Sequence, residues 1–402
     1  MRTPFYYYNM ELLQQTLDAL NNSISGTPFQ VHYAIKANAE RKILKVIKEN
    51  GLGADCVSGN EMVRSIESGF EPAHVVLAGV GKTDEEIRFA IGHNIHSINC
   101  ESIEELEIIN QIANETNSVA RIAFRLNPNI DAHTHHHITT GLNENKFGIP
   151  VSDIDLALEE LSKYDNIKLT GLHFHIGSQI LNLNPYAKLC LETNKIQEHL
   201  VHKGIRLEHI NMGGGLGVNY QDPDANPIPN FQEYFRIFKR FLQVRDGQSV
   251  HFELGRSIVA QMGSLISRVL YVKKGKESNF TIIDAGMTDL IRPALYNSYH
   301  QIENLSSDQE INPYKVVGPI CETTDSFGEV LLPKTTRGDL LQIKSAGAYG
   351  QVLSSHYNLR DMAHAVYSDE FNLNELVCGK VSTFSDPLIR NGNTMAVEVN
   401  AA

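Results

Sequence analysis

The 402-residue chain has no run of about 18 consecutive apolar residues, so no part of it is expected to cross a membrane as a helix. It has no excess of base. Against 35 Lys and Arg stand 47 Asp and Glu, a net charge of −12, which argues against a general nucleic-acid or membrane-surface binder. A local basic pocket for an anionic ligand stays open. The five cysteines, Cys56, Cys100, Cys190, Cys321 and Cys378, are scattered, odd in number and never spaced CxxC, the pattern of reduced thiols in a cytoplasmic protein. Met1-Arg2-Thr3-Pro4 leads straight into an aromatic run, not the apolar stretch of a signal peptide. No internal repeat or low-complexity segment is present, and Pro223 to Pro229 reads as a surface loop. What is there is a soluble globular composition, 42% hydrophobic and 20% charged, over a length that suits two domains.

Phe5-Tyr6-Tyr7-Tyr8 reads as a short strand and Met10 to Leu20 as a helix. An alternation then begins. Strands are expected at 31–35, 53–57, 74–78, 95–99, 119–126, 168–176, 207–212 and 250–254. Helices are expected between them, at 41–49, 61–68, 85–92, 102–113, 154–163, 186–202 and 231–245. Eight such units match a (β/α)8 TIM-like barrel. An open doubly wound sheet is the runner-up, but no G-x-G-x-x-G turn follows the first strand. Beyond Arg256 the texture changes. Strands are expected at 264–272, 281–284, 315–317, 339–344 and 395–399 without regular helices, so the C-terminal domain should be mostly β. The division expected is 10–260 for the barrel, and 1–9 with 261–402 for the β domain.

Barrel chemistry gathers at the carboxyl ends of strands. Those ends offer Lys36, then Asp55 and Ser58, Arg125, His173 with His175 and Ser178, Gly213-Gly214-Gly215, and finally Glu253, Gly255 and Arg256. Lys36 follows an apolar strand, and desolvation there would lower its pKa and favour a Schiff-base nucleophile. The glycine run after strand seven suits a phosphate, or is merely a flexible turn. His173 and His175 face one way. They could be a metal pair lacking a third ligand, an imidazole stacked on a flat cofactor ring, or hydrogen-bonded barrel histidines. His135-His136-His137 also suggests metal, but consecutive loop histidines do not converge on one centre; no metal is expected. Glu253 follows Val250-His251-Phe252 and needs a partner, for which a pyridinium N–H would serve.

Tyr33-Ala34-Ile35-Lys36-Ala37-Asn38, His173-Phe174-His175-Ile176-Gly177-Ser178-Gln179, Met212 to Gly217 and Glu253 to Val259 together resemble the fold-type-III decarboxylases that use pyridoxal 5'-phosphate (PLP). Thr134 to Gly141, Asn145-Lys146-Phe147-Gly148, Asp284-Ala285-Gly286-Met287 and Arg292-Pro293-Ala294-Leu295-Tyr296 are similar to the diaminopimelate decarboxylase family in particular. The motifs run in order over nearly the whole chain. The resemblance departs at Leu254, where the family usually has proline, at Thr323-Thr324, and at His135-His136-His137, which replaces His-Pro-Tyr.

The resemblance implies a PLP barrel, a β-rich second domain that includes the N-terminal strand, and a homodimer with shared active sites. Lys36 would hold PLP covalently, and His175 would stack on its ring. Glu253 would face the pyridine nitrogen. Ser178, Gly213, Gly214, Gly215, Gly255 and Arg256 would surround the phosphate, with Tyr349 near the cofactor. Arg256, Arg292, Tyr296, Glu322 and Tyr349 would bind substrate, and Cys321 with Glu322 would come from the partner subunit. The implied reaction takes meso-diaminopimelate to L-lysine and CO2, the last step of lysine biosynthesis, with Cys321 or Lys36 returning a proton. The alternatives are a polyamine-pathway decarboxylase acting on carboxynorspermidine, ornithine or arginine, and a non-catalytic regulatory relative. An alanine racemase would set an arginine at the pyridine nitrogen, against Glu253.

Overall fold

The computed structural model describes residues 1–131, 146–276 and 278–377. The expected strand at 395–399, Cys378 and the whole Thr134–Gly141 motif lie outside them.

Eight short apolar runs form a closed parallel barrel: β2 (Phe29–Ala34), β3 (Gly53–Cys56), β4 (Val75–Leu77), β5 (Ser97–Cys100), β6 (Ala120–Asn127), β8 (Ile167–His173), β9 (His209–Asn211) and β10 (Ser249–Leu254). The two-residue β7 (Ile149–Pro150) extends β6 outside the ring. Closure comes from β5 on β6 and from β10 on β2, where Glu253 lies opposite His32 and Leu254 opposite Tyr33. The first and last barrel strands are therefore neighbours, and Lys36 and Glu253 emerge on the same side. Six helices alternate with the strands as expected, from α2 (Arg41–Glu49), which matches the expected limits, through α3 (Gly59–Glu67), α4 (Asp84–Gly92), α5 (Glu104–Glu115), α6 (Ile154–Leu161) and α7 (Asn184–His202). Ser58 caps α3 by accepting from Glu61 N–H, and Thr83 with Glu86 forms a capping box on α4.

The last barrel helix, α8 (Phe231–Phe241), shows why the seam holds. Phe231, Tyr234, Phe235 and Phe238 fall at helical spacing and are all buried. Phe235 and Phe238 meet Phe252 of β10 at 5.0 and 4.8 Å, and Phe29 of β2 meets Phe252 at 5.2 Å. Each aromatic pair adds about 0.5–1.5 kcal/mol beyond area burial. They clamp the strand carrying Glu253 to the strand leading to Lys36.

The amino-terminal end of the barrel is filled by histidines. His32, His209 and His251 are buried and His96 is half-buried, with neighbouring ring centroids 4.6 to 6.0 Å apart. Two of them, His32 and His251, lie in a chain whose tautomers follow from the ends. The His74 carbonyl can only accept, so His32 Nδ1–H donates to it at 3.0 Å. His32 Nε2 must then accept from His251 Nδ1–H at 2.8 Å, and His251 Nε2 accepts from Ser249 at 2.8 Å. Burial holds His32 and His96 down to about 4 and pushes His209 and His251 well below the ordinary range. An unfolded chain takes up these protons near pH 6.5, so in the window from 6.5 to 4 it binds more protons than the folded one. Stability is full above that window and falls as pH falls through it. His32 alone should cost about 3 kcal/mol when fully titrated. His175 and His300, held down to about 3, add to the slope. Thermal melts should show the midpoint dropping steadily from pH 6.5 to 4.5; a midpoint that stays put would contradict this account.

The second sheet holds β11 (Gly263–Lys274), β12 (Asn279–Ile283), β13 (Ile302–Asn304), β14 (Ile311–Val317), β15 (Ser326–Pro333), β16 (Leu340–Ile343) and β17 (His364–Tyr367). The N-terminal strand β1 (Phe5–Tyr8) belongs to it, antiparallel to β11 and parallel to β17. Three of these strands, β13, β15 and β17, were not expected. β13 and β17 are only three and four residues long, and β15 carries Gly328 and Pro333 with Leu331 71% exposed, so no alternation marks them.

Candidate active site

Lys36 does not sit on the strand itself. β2 ends at Ala34, and Ile35–Ala37 form a single 3-10 turn. The second domain pins that turn. Tyr349 N–H donates to the Ala37 carbonyl at 2.8 Å, and Asn38 Nδ2 donates to the Gly347 carbonyl at 2.9 Å. Tyr349 adopts φ +56°, a left-handed conformation uncommon outside glycine, and its ring lies 4.8 Å from the Arg256 guanidinium carbon. Register sets Asp55 of β3 beside Ala34, which brings its Oδ2 2.8 Å from Lys36 Nζ. This overturns the expected lowering of the lysine pKa. Burial does push it down, but Asp55, Tyr349 and Glu253 outweigh burial and hold the ammonium above its ordinary range.

Glu253 lies across the cavity floor, 6% exposed. Three buried donors hold it. Asn211 Nδ2 and Asn99 Nδ2 donate to Oε1 at 2.8 and 3.3 Å, and His173 Nε2 donates to Oε2 at 2.9 Å. Burial alone would raise this carboxyl; the His173 contact, then Lys36 and His175, drive it well below the carboxylate range instead. Asp55 goes the other way, raised by burial and by the charge of Glu253 against the pull of Lys36. The two carboxylates thus divide: Glu253 stays anionic, and Asp55 is the readier proton acceptor.

Lys36, His175, Ser178, Gly215, Glu253, Gly255, Arg256, Arg292, Tyr296 and Tyr349 all line one cavity of about 540 Å3. His175 follows β8, which ends at His173 and not at Ile176. Its pKa falls to about 3 through burial and then the nearby cations Arg125 and Lys36, so the ring is neutral. Gly214 N–H donates to its Nδ1 at 3.4 Å. Arg256 donates to Tyr220 Oη at 2.7 Å and to Ser178 Oγ at 3.1 Å. Gly213 and Gly214 do not line the cavity. A Cβ at Gly214 would come 1.8 Å from the Glu253 carbonyl, and one at Gly213 2.1 Å from the Phe174 carbonyl. Close backbone packing demands both, whatever binds beyond them.

These residues fit PLP. Glu253 Oε2 accepts one hydrogen bond and has room for a second. Arg256 Nε is buried without a partner, and Lys36 is 38% accessible toward the cavity. A flat aldehyde with a ring N–H and an anionic group matches that donor and acceptor set.

Farther along the cavity, Arg292 Nε donates to His300 Nε2 at 3.4 Å and Nη2 donates to Ser298 at 3.3 Å. His300 Nδ1–H donates to the Lys344 carbonyl at 2.8 Å, so its Nε2 is free to accept. The Tyr220 ring stands between the two arginines, 5.9 and 5.2 Å from their guanidinium carbons. Cys321 and Glu322 do not line this chain's cavity. Both are exposed, with Cys321 N–H on Asn358 Oδ1 at 3.1 Å and Glu322 accepting from Tyr357 at 2.7 Å. Asp325 stiffens their loop by accepting from Ile320 and Met287 N–H at 2.7 and 2.6 Å. Arg125 pairs with Glu101 and lies 4.7 Å from the Phe147 ring, which forms part of the wall. Among the described residues no group of three or more His, Cys, Asp or Glu is placed to hold a metal. His135-His136-His137 lies outside them. The residues that sequence reasoning did not bring to the site are Asn99, Asn211, Tyr220, Ser298 and His300. Asn99 and Asn211 carried a weak signal, as lone amides at the ends of buried strands.

Residues 11–260 match the family described as pyridoxal-dependent decarboxylase, pyridoxal binding domain. The fold and the lysine–carboxylate floor therefore belong to a pyridoxal-dependent decarboxylase. A diaminopimelate decarboxylase of Bacteroides thetaiotaomicron is 50% identical over 372 residues, 92% of this chain and 96% of that one. One from Pseudomonas aeruginosa is 40% identical over 91% of this chain and 88% of its own. The crystal structure of diaminopimelate decarboxylase from Helicobacter pylori complexed with L-lysine superposes with a TM-score of 0.87 at 38% identity, covering 91% and 92% of the two chains. The chain belongs to the diaminopimelate decarboxylase family.

Proposed function

We propose that this protein decarboxylates meso-2,6-diaminopimelate to L-lysine and CO2, the last step of lysine biosynthesis, with PLP held at Lys36. The observation that carries the reading is one cavity with a lysine–carboxylate floor and two arginines farther along. PLP, when bound, supplies an electron sink for the pair left by departing CO2. The protein does the rest. Lys36 must be neutral to attack an aldehyde, and Asp55 Oδ2 at 2.8 Å can take its proton. Glu253 keeps a facing pyridine nitrogen protonated, and neutral His175 offers a flat face. Ser178, Gly215, Gly255 and Arg256 fit the phosphate.

Arg292, Tyr296 and Tyr349 suit the distal end of the substrate, where a guanidinium fork matches a carboxylate. Glu322 suits the distal ammonium, and Cys321 the proton returned to carbon. Both would be supplied by the partner in a head-to-tail homodimer. Their exposure on a stiffened loop, outside this chain's own cavity, supports that arrangement. No helix among the described residues is long and apolar enough to cross a membrane, and we place the enzyme in the cytoplasm with reduced thiols.

The test is CO2 release from meso-diaminopimelate beside ornithine and arginine, on yellow protein that borohydride bleaches. Release from diaminopimelate should exceed the others at least about a hundredfold, since the rivals leave the distal arginine unpaired. Equal rates on ornithine or arginine would overturn the substrate, and a colourless protein that takes up no PLP would overturn the cofactor.

A further inference from the structure

Glu253 is held by three side chains that the reaction does not otherwise use. Its two amide donors, Asn99 and Asn211, share Oε1. Oε2, the oxygen with acceptor capacity left for a ligand, has a single protein donor, His173 Nε2 at 2.9 Å. His173 is 1% exposed, and its other nitrogen, Nδ1, is buried with no partner. That orphan fixes the tautomer. With the proton on Nε2 the ring donates to the carboxylate. With the proton on Nδ1 a buried N–H would be unpaired, and two lone pairs would face each other across 2.9 Å. His173 therefore has one productive state.

We propose that His173 is a positioning residue: its Nε2–H fixes the orientation of the Glu253 carboxylate so that the remaining side of Oε2 faces the pyridine nitrogen of PLP. The inference rests on the PLP reading of the site and deepens it. His173 would not touch the substrate and acts through Glu253. The titratable groups around Glu253 are Lys36 on the turn after β2, Asp55 on β3, His173 on β8, His175 just beyond it, and His32 in the layer below. Of these, His173 makes the one hydrogen bond to Glu253. Removing it leaves a buried carboxylate short of a donor, a state that protonation relieves.

The experiment compares H173F, which keeps a ring and loses the donor, with H173Q, whose amide Nε2 can still donate. Infrared difference spectra against Glu253→Gln, recorded on cofactor-free protein, read the carboxyl directly. At pH 7 the parent and H173Q should show a carboxylate band, and H173F a protonated carboxyl band. PLP affinity gives the second readout. It should be flat between pH 6 and 8 in the parent and H173Q. In H173F it should weaken about tenfold toward pH 6, because the carboxyl must lose a proton before it can face a pyridinium. In the loaded enzyme, kcat of H173F should fall about ten- to a hundredfold with KM little changed, and H173Q should recover most of it. A purely structural role would weaken PLP equally at all pH values and would not move the infrared band; either result overturns the proposal. If H173F does not fold, H173A, which leaves a space and no clash, carries the same comparison. If the parent takes up no PLP, the reading of the site fails, while the infrared comparison still decides whether His173 governs Glu253.

Discussion

Replacing Lys36 by alanine should abolish decarboxylation, with a loss of about 10^3-fold or more, and should leave a colourless protein that borohydride no longer modifies. The geometry explains the size of the effect. Lys36 Nζ is the amine on the cavity floor, 2.8 Å from Asp55, a carboxylate raised toward accepting a proton. Alanine removes the covalent anchor and strands Asp55, already raised by burial and short of a partner at Oδ1. Lysine is also the one residue of the turn whose side chain opens to the cavity, since Ile35 and Ala37 are buried. A second arm tests how sites are assembled. Cys321→Ala should also be nearly inactive. Mixing it with Lys36→Ala under subunit exchange should restore about a quarter of the parental activity, because half of randomly formed dimers would be mixed and each would hold one intact site. No recovery, with exchange verified, would mean that Cys321 serves its own chain or none.

Arg292→Ala should cost about 10^2- to 10^3-fold in kcat/KM on diaminopimelate while PLP affinity changes less than about threefold. Arg292 is 6% exposed and packed against His300, Ser298 and Tyr220, none of which meets Lys36 or Glu253. Its guanidinium is thus already desolvated and oriented, and a substrate carboxylate would bind it with little further reorganisation. Truncation would leave that carboxylate buried without a cation. The residual rate on ornithine, which has no distal carboxylate, should be almost unaffected. A fall in PLP affinity as deep as the fall in activity would move Arg292 into the cofactor's site.

Much of this site was legible because its residues stand at strand ends within distinctive local patterns. Lys36, Glu253, Arg256 and the Arg292 segment could each be read without knowing what lay beside them. The lysine's charge state could not. It depends on the register that sets Ala34 against Asp55, a pairing between strands that no local pattern records. The grip on Glu253 was hidden for the same reason: Asn99, His173 and Asn211 come from three strands and meet only when the barrel closes. The four histidines at the amino-terminal end of the barrel are single residues far apart in the chain. The glycine run also has a second reason that its local pattern does not record, since Gly213 and Gly214 are packed against the carbonyls of Phe174 and Glu253. In the second sheet, strands of three or four residues show no period, and length defeated the reading there.

The placement of β1 has a bearing on biosynthesis. Phe5 to Tyr8 leave the ribosome well before their neighbours at 263–266 and 364–367. Emerging segments ordinarily settle in order of synthesis. Here an aromatic tetrapeptide must stay unsheltered until segments far downstream have been translated, and the second sheet cannot close around it before residues 364–367 have been made.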